Sequence, residues 1–252
     1  MAETAPLLEL RNVSARYGEI TAVRDVTLAV GAGESVALIG RNGAGKSTML
    51  RLAAGVIQPF AGDVRWKGRS LVGLPPERRV RQGIVLVPEG RGIFPGLTVD
   101  ENLRMGAFWH RPRGAAARQR TEEVYELLGV LGQRRSQPAG SLSGGEQQLL
   151  AIGRALLSNP EVLLFDEPSL GLSPKMIDAL YEILGTLKAR GIAFVLVEQY
   201  VPLALKLCDR VLGLQKGTVA VSGSTEGLDV EDLTEVYMGG SELQAEAEQV
   251  LQ

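Results

Sequence analysis

An α/β fold with a mainly parallel core sheet is what this sequence predicts, on three observations. Short runs rich in Val, Ile and Leu alternate with stretches of helical periodicity; the runs are apolar throughout; and a glycine-rich loop joins the first of these core runs to a helix. Unbroken apolar runs belong to strands buried on both faces, the situation of a parallel sheet flanked by helices.

The elements follow in order. "LLELRNVSARYG" (7–18) and "VRDVTLAV" (23–30) alternate polar and apolar residues and lie close together, so they predict a small antiparallel β layer beside the core. The core strands are expected in "SVALIG" (35–40), "IVLVPE" (84–89), "EVLLFDEP" (161–168), "IAFVLVEQ" (192–199) and "DRVLGLQKG" (209–217). Between Thr98 and Pro160 the patterns are helical, as in "DENLRMGAFW" and "RTEEVYELLGVL", with "RPRGAAA" as a loop between them. This predicts a helical insert. A helix in "SPKMIDALYEILGTLKARG" has Ser173 at its N-cap, Pro174 at its first position and Gly191 just past its end. The expected organisation is one domain over residues 5–240, with a helical subdomain at about 98–160 and a C-terminal tail at 241–252.

Composition narrows the function. The 252 residues, 45% hydrophobic and 22% charged, suit a globular enzyme with a substantial core. The single cysteine, Cys208, has no internal partner for a disulfide, and no basic-then-apolar leader precedes the first strand run, so a cytoplasmic setting is expected. Apolar runs stop well short of the roughly 20 residues of a spanning helix, which makes any membrane role peripheral. A net charge of −2 gives no electrostatic case for nucleic acid. Charge is nevertheless unevenly spread: Arg65 to Arg120 holds twelve Lys/Arg against four Asp/Glu, and the chain from Glu226 onward holds eight acids and no base. The basic stretch reads either as solvated helix faces or as a flank lying near anionic lipid headgroups.

The chemistry begins at "GRNGAGKST", Gly40, Arg41, Asn42, Gly43, Ala44, Gly45, Lys46, Ser47 and Thr48, which fits G-x-x-x-x-G-K-[ST] between a strand and a helix. Glycines allow backbone N–H groups to surround the β- and γ-phosphates of a nucleotide, the helix N-terminus adds positive potential, and Lys46 adds a full charge. Ser47 is then a magnesium ligand. The acidic partner is expected at "VLLFDEPS", with Asp166 holding magnesium and Glu167, one residue beyond the strand, orienting or deprotonating the attacking water.

A second helix start, "SLSGGEQQ", has Ser143 and Glu146 in capping-box spacing. Capping explains those two residues but not Gly144 and Gly145, since each glycine weakens a helical turn by up to about 1 kcal/mol relative to alanine. Close approach to a phosphate would explain them, and the chain already has one phosphate loop, so this turn is expected to face the γ-phosphate held by another subunit.

The phosphate loop, "LSGGEQQ" and "VLLFDEPSLGL", in this order and spacing, resemble the nucleotide-binding subunit of ABC transporters over residues 5 to 240. The resemblance implies a P-loop ABC ATPase fold that binds ATP and Mg2+. It makes Ser143, Gly144, Gly145 and Glu146 the signature loop of a head-to-tail dimer with two ATP molecules at the interface. Tyr17, in "ARYGEITAV", matches the aromatic residue that stacks on adenine; as a bare residue it also reads as a strand-end tyrosine. Two positions depart from most of the family. Glu89 stands where a glutamine usually reaches toward magnesium, and Gln199 where a switch histidine is usual. The only histidine, His110, lies in the insert and reads as an exposed loop residue. An amide can position phosphate and water but cannot shuttle a proton near neutral pH, so Glu167 is left with the base role and Gln199 with positioning.

"VPEGRGIFPGLTVDENL", "LVEQ" and "EVYMGG" narrow the resemblance to the ATP-binding subunit of bacterial branched-chain amino acid importers, where both departures are familiar; importers of urea or short amides use similar subunits. This implies as partners two membrane-spanning permease subunits, a second ATPase chain, identical or different, and indirectly a solute-binding protein, at the cytoplasmic face of the membrane. The helical insert becomes the coupling surface, with Arg104, Arg111, Arg113, Arg118 and Arg120 near the membrane. A non-transport ATPase acting on DNA or ribosomes is the competing class, but this sequence has neither long coiled coils nor a second cassette. No nucleic-acid partner is expected.

Overall fold

The computed structural model describes residues 5–108, 115–199 and 201–228. His110, Arg111, Arg113, "EVYMGG" and the expected tail at 241–252 lie outside the described residues, as do all seven acids after Glu226.

Two sheets form. The antiparallel one has the order β2-β1-β4-β5, built from β1 (Leu8–Tyr17), β2 (Ile20–Val30), β4 (Ala61–Trp66) and β5 (Arg69–Ser70). β1 and β2 make a hairpin through Gly18 and Glu19, with Gly18 at φ 56, as a glycine in the first place of a type II′ turn must be. The second sheet has six strands in the order β10-β9-β3-β8-β7-β6: β3 (Ser35–Ile39), β6 (Ile84–Val87), β7 (Val162–Asp166), β8 (Ala193–Val197), β9 (Arg210–Gln215) and β10 (Thr218–Ser224). All neighbours are parallel except β9 and β10. The five core strands are those the apolar runs predict. β4, β5 and β10 went unread because they lack that signature: β4 is "AGDVRW", and β10, "TVAVSGS", is an edge strand with small polar residues on an exposed surface.

Both faces of the parallel sheet are buried, and alternate residues feed two cores. In β8, Phe194 and Leu196 join the helical side, while Ala193, Val195 and Val197 join the side that holds the antiparallel sheet. The first helix, α1 (Lys46–Ala54), lies in this second core, with Met49, Leu50, Leu52, Ala53 and Ala54 buried. A buried arginine closes its C-terminal end. In α2 (Pro76–Arg81), Arg79 donates to the carbonyls of Leu52 (2.7 Å), Ala53 (3.1 Å), Leu71 (2.8 Å) and Leu74 (3.2 Å). This satisfies carbonyls that the helix end leaves open. Burial lowers the guanidinium to about 10.

Between Thr98 and Pro160 the chain forms α3 (Val99–Gly106), α4 (Ala115–Leu127), α5 (Gly129–Gly132), a 3-10 turn (Ala139–Ser141) and α6 (Gly144–Leu157). Thr98 and Pro138 make an isolated bridge there. α6 packs on α3 and also reaches β6. Gly106 is there because a Cβ would strike the backbone carbonyl of Arg154. The helix predicted at 173–191 is α7 (Pro174–Ala189), with Gly191 beyond it at φ 77; Ser173 is its N-cap, without a side-chain capping bond. α8 (Val201–Leu207) follows β8. Among the described residues, no helix is long and apolar enough to cross a membrane.

Candidate functional site

The parallel topology brings the C-terminal ends of β3, β6, β7 and β8 to one edge, where Gly40, Glu89, Glu167 and Gln199 follow their strands. Such an edge is where open α/β sheets bind ligands.

The loop after β3 is shaped by its glycines. Gly40 (φ 148) passes so close to the carbonyl of Leu214 that no side chain fits. Gly45 (φ 106) precedes α1, and a Cβ on it would lie 2.7 Å from the carbonyl of Ala22. Ala44 is buried, while Arg41, Asn42 and Gly43 are exposed. Lys46, 4% exposed, folds back over the loop and donates from Nζ to the carbonyls of Gly40 (2.8 Å) and Arg41 (3.3 Å), with Glu167 Oε1 at 3.8 Å. Burial lowers the ammonium's pKa, and the charges of Glu167 and Asp166 oppose that shift. Thr48 is buried in the first turn of α1.

Ser47 donates from Oγ to Asp166 Oδ1 at 2.8 Å, uniting the helix start with the end of β7. Burial raises the Asp166 carboxyl, the Ser47 bond lowers it, and the nearby charges of Glu167 and Glu89 raise it further. Glu89 is exposed after β6. Glu167 has φ 48, a left-handed conformation uncommon outside glycine, and its N–H donates to the carbonyl of Val197 at 3.0 Å. Gln199 Nε2 donates to Glu167 Oε2 at 2.7 Å. The amide expected to face phosphate therefore holds the expected base. Phosphate loop, acidic pair and Gln199 form one constellation around Lys46 and Ser47. Tyr17, at the end of β1, is 43% exposed and accepts from Arg51 Nη1 of α1 at 3.4 Å.

The signature turn is built differently. Ser143 caps α6: its Oγ accepts from the Glu146 N–H at 3.4 Å, and its N–H donates to Glu146 Oε2 at 2.9 Å. Glu146 is buried and pairs with Arg134 at 3.0 Å. The two glycines have an intramolecular cause that capping does not supply. A Cβ on Gly144 would lie 2.7 Å from Arg91 Nη2, and one on Gly145 would lie 2.6 Å from Met176 Cε of α7. Ligand approach is thus not needed to account for them. Arg91, at φ 69, also donates to Gln147 Oε1 at 2.9 Å, tying the loop after β6 to α6.

Three residues that sequence reasoning passed over stand close to this machinery: Arg91, Ser169 and Glu198. Glu198 is 1% exposed between Val197 and Gln199, and it accepts from the Ser169 N–H (3.1 Å) and Ser169 Oγ (2.7 Å). Burial raises its carboxyl to about 7 against the lowering effect of those bonds. An acid closing the apolar run "AFVLV" was the available signal.

Comparison with known proteins gives this geometry its family. A model described as "ABC transporter" matches residues 23–170, more than half of the chain. The chain belongs to the ABC transporter family. It is 45% identical, over 93% of its length and 100% of the relative's, to the high-affinity branched-chain amino acid transport ATP-binding protein BraG of Pseudomonas aeruginosa. Its fold matches the ADP conformation of MJ1267, an ATP-binding cassette of an ABC transporter, at TM-score 0.82 and 27% identity, covering 94% of this chain and 100% of that one. It also matches the dimeric post-hydrolysis cassette MJ0796 bound to ADP and Pi, at TM-score 0.78 and 28% identity, covering 88% and 100%. As a member of that family the chain is an ABC ATPase, whose hydrolysis of ATP is coupled to transport.

Proposed function

We propose that this chain powers the import of branched-chain amino acids, as the ATP-hydrolysing subunit of a transporter with two membrane-spanning permease subunits, a second ATPase chain and a separate solute-binding protein. The single observation that carries the substrate is the 45% identity to BraG along that protein's whole length. The subunit sits at the cytoplasmic face of the membrane. Residues 5–240 act as one nucleotide-binding domain, with 98–160 as its helical subdomain and 241–252 as a tail.

In this reading Gly40 to Thr48 hold the phosphates of ATP and Tyr17 stacks on its adenine. Lys46 exchanges its bonds to the Gly40 and Arg41 carbonyls for phosphate oxygens. Magnesium fits the donors present, because a hydroxyl and a carboxylate 2.8 Å apart suit a small hard cation that also takes phosphate oxygens. Ser47 and Asp166 hold it, with Glu89 nearby; bound there, it neutralises phosphate charge. Glu167 takes the proton of the attacking water, and Gln199 keeps that carboxylate aimed and water in place. Ser143, Gly144, Gly145 and Glu146 serve the ATP bound to the opposite subunit.

Affinity purification of the tagged chain from solubilised membranes of its own host tests this. Two multi-span proteins and a sister ATPase should come with it, and leucine or valine with the matching binding protein should stimulate the ATPase of the complex. Stimulation by urea instead would redirect the substrate, and recovery of ribosomal or DNA-bound proteins alone would end the transport reading.

A further inference from the structure

The site's acid and amide project from two neighbouring strand ends, and something must keep those ends in register. The ladder between β7 and β8 stops at Asp166 and Val197. One further backbone bond, from the Glu167 N–H to the Val197 carbonyl, extends it, and then φ 48 at Glu167 turns the chain away from the extended path. A non-glycine residue persists in such a conformation only when its surroundings hold it there. The Leu170 N–H donates to the Glu167 carbonyl at 3.2 Å, which closes the turn locally. A second link, from this turn back to the end of β8, is a side chain: Glu198, accepting from both the N–H and the Oγ of Ser169. The same carboxylate accepts from the Gln199 N–H at 3.3 Å.

Packing alone gives no reason for an acid here. A buried carboxylate is costly unless hydrogen bonds satisfy it, and a side chain of similar size without charge fills the same space at lower cost. What the carboxylate adds is a pair of acceptor oxygens able to take two donors from one serine. Ser169 is buried as well, so water does not compete for either donor.

We propose that Glu198 is a positioning residue for ATP hydrolysis, clamping Ser169 so that the strained turn carrying Glu167 and the loop carrying Gln199 move as one unit. The inference rests on the reading of Glu167 as the base, whose carboxylate receives the Gln199 amide at 2.7 Å. Glu198, 1% exposed, acts through its bonds to Ser169 and Gln199 rather than on the substrate itself.

The test uses the full-length chain with Glu198→Ala, Glu198→Gln, Ser169→Ala and the double variant Ser169→Ala/Glu198→Ala, each followed by ATPase kinetics, ATP binding and thermal unfolding. A displaced base lowers kcat rather than affinity, so Glu198→Ala should lose about tenfold or more in kcat while KM and Kd for ATP stay within about twofold. Glu198→Gln keeps an acceptor for the Ser169 N–H, offers its NH2 to Ser169 Oγ and gives up only the 3.3 Å bond from the Gln199 N–H, so it should retain kcat within about threefold. Ser169→Ala should lower kcat alone, and the double variant should fall no further than Glu198→Ala, because both remove the same clamp. If Glu198→Ala does not fold, Ser169→Ala and Glu198→Gln still decide the matter. An unchanged kcat, a parallel loss of ATP affinity, equal damage by Ala and Gln, or additive losses would each overturn the proposal. Glu167→Gln, run alongside, separates the two levels. If it abolishes hydrolysis while the Glu198 variants are normal, only the clamp fails; if it hydrolyses at the parental rate, the base assignment itself is wrong.

Discussion

Two glycine-bearing turns in this chain each open a helix, and they are built for different reasons. At the phosphate loop, backbone geometry demands glycine: Gly40, Gly43 and Gly45 all have φ between 80 and 148, and Gly40 and Gly45 press on carbonyls of other segments. At the signature turn, none of the glycines has positive φ, and the groups a Cβ would meet are the ends of flexible side chains, Arg91 and Met176. The first turn gathers Lys46, Ser47, Asp166, Glu167 and Gln199 into one polar constellation. The second directs its bonds to its own helix, to Arg134 and to the loop after β6. A shared local signature therefore conceals two different constructions, which the proposed reading assigns to a complete site in one place and half of a site in the other.

The largest effect that would break this contrast is chemical. Glu167→Gln is expected to lower kcat by about 10²- to 10⁴-fold, as loss of a general base does, while ATP binding survives in equilibrium titration. A parental rate would remove the base from the strand-end site.

Next comes the pH dependence of stability near that site. Burial raises the Glu198 carboxyl to about 7 from its ordinary 4.5, so the native state holds its proton more tightly than the unfolded chain does. Unfolding then releases a proton in that window, and stability falls as pH rises from 4.5 through 7, by an amount on the order of 3 kcal/mol. Denaturant melts across this range should show the fall, and Glu198→Gln should flatten it.

The glycines provide a direct contrast. Gly45→Ala forces an L side chain into φ 106 and against a carbonyl, at a cost of about 1–3 kcal/mol together with weaker ATP binding by calorimetry. Gly145→Ala meets Met176 instead. It should lower stability by no more than about 2 kcal/mol, because helix propensity returns up to about 1 kcal/mol of the packing cost. In a Met176→Ala background the same change should become stabilising. Persistent destabilisation there would show that the glycine serves something other than this contact.

The smallest expected effect belongs to the cap. Ser143→Ala should cost about 1 kcal/mol in thermal or denaturant unfolding of the lone chain, because Ser143 and Glu146 satisfy each other's backbone. No change would mean that the 3.4 Å capping bond contributes nothing.

Much of this was legible in the sequence, for physical reasons that also explain the rest. Strands such as "VLLFD", buried on both faces, have to be apolar throughout, so all five parallel strands could be read. β10 could not, because an exposed edge strand tolerates small polar residues. The phosphate loop and acidic pair were legible because their chemistry permits few residue types. Glu198 and Ser169 were not, since an acid closing an apolar run marks only one end of a buried serine–carboxylate link, and its partner shows only when the strands are placed side by side. The glycines of the signature turn were noticed but given a single cause, because Arg91 and Met176 are 53 and 31 residues away in sequence from Gly144 and Gly145.

The central claim is that the second turn serves a nucleotide bound to another chain. Light scattering of the Glu167→Gln chain with and without ATP, alone and with its sister ATPase, tests it most directly when paired with ATP titration of a Ser143→Arg version. The account expects ATP to drive dimer formation, and Ser143→Arg to abolish the dimer while each chain still binds ATP as before. Loss of ATP binding by the single Ser143→Arg chain, or a dimer indifferent to Ser143, would contradict it.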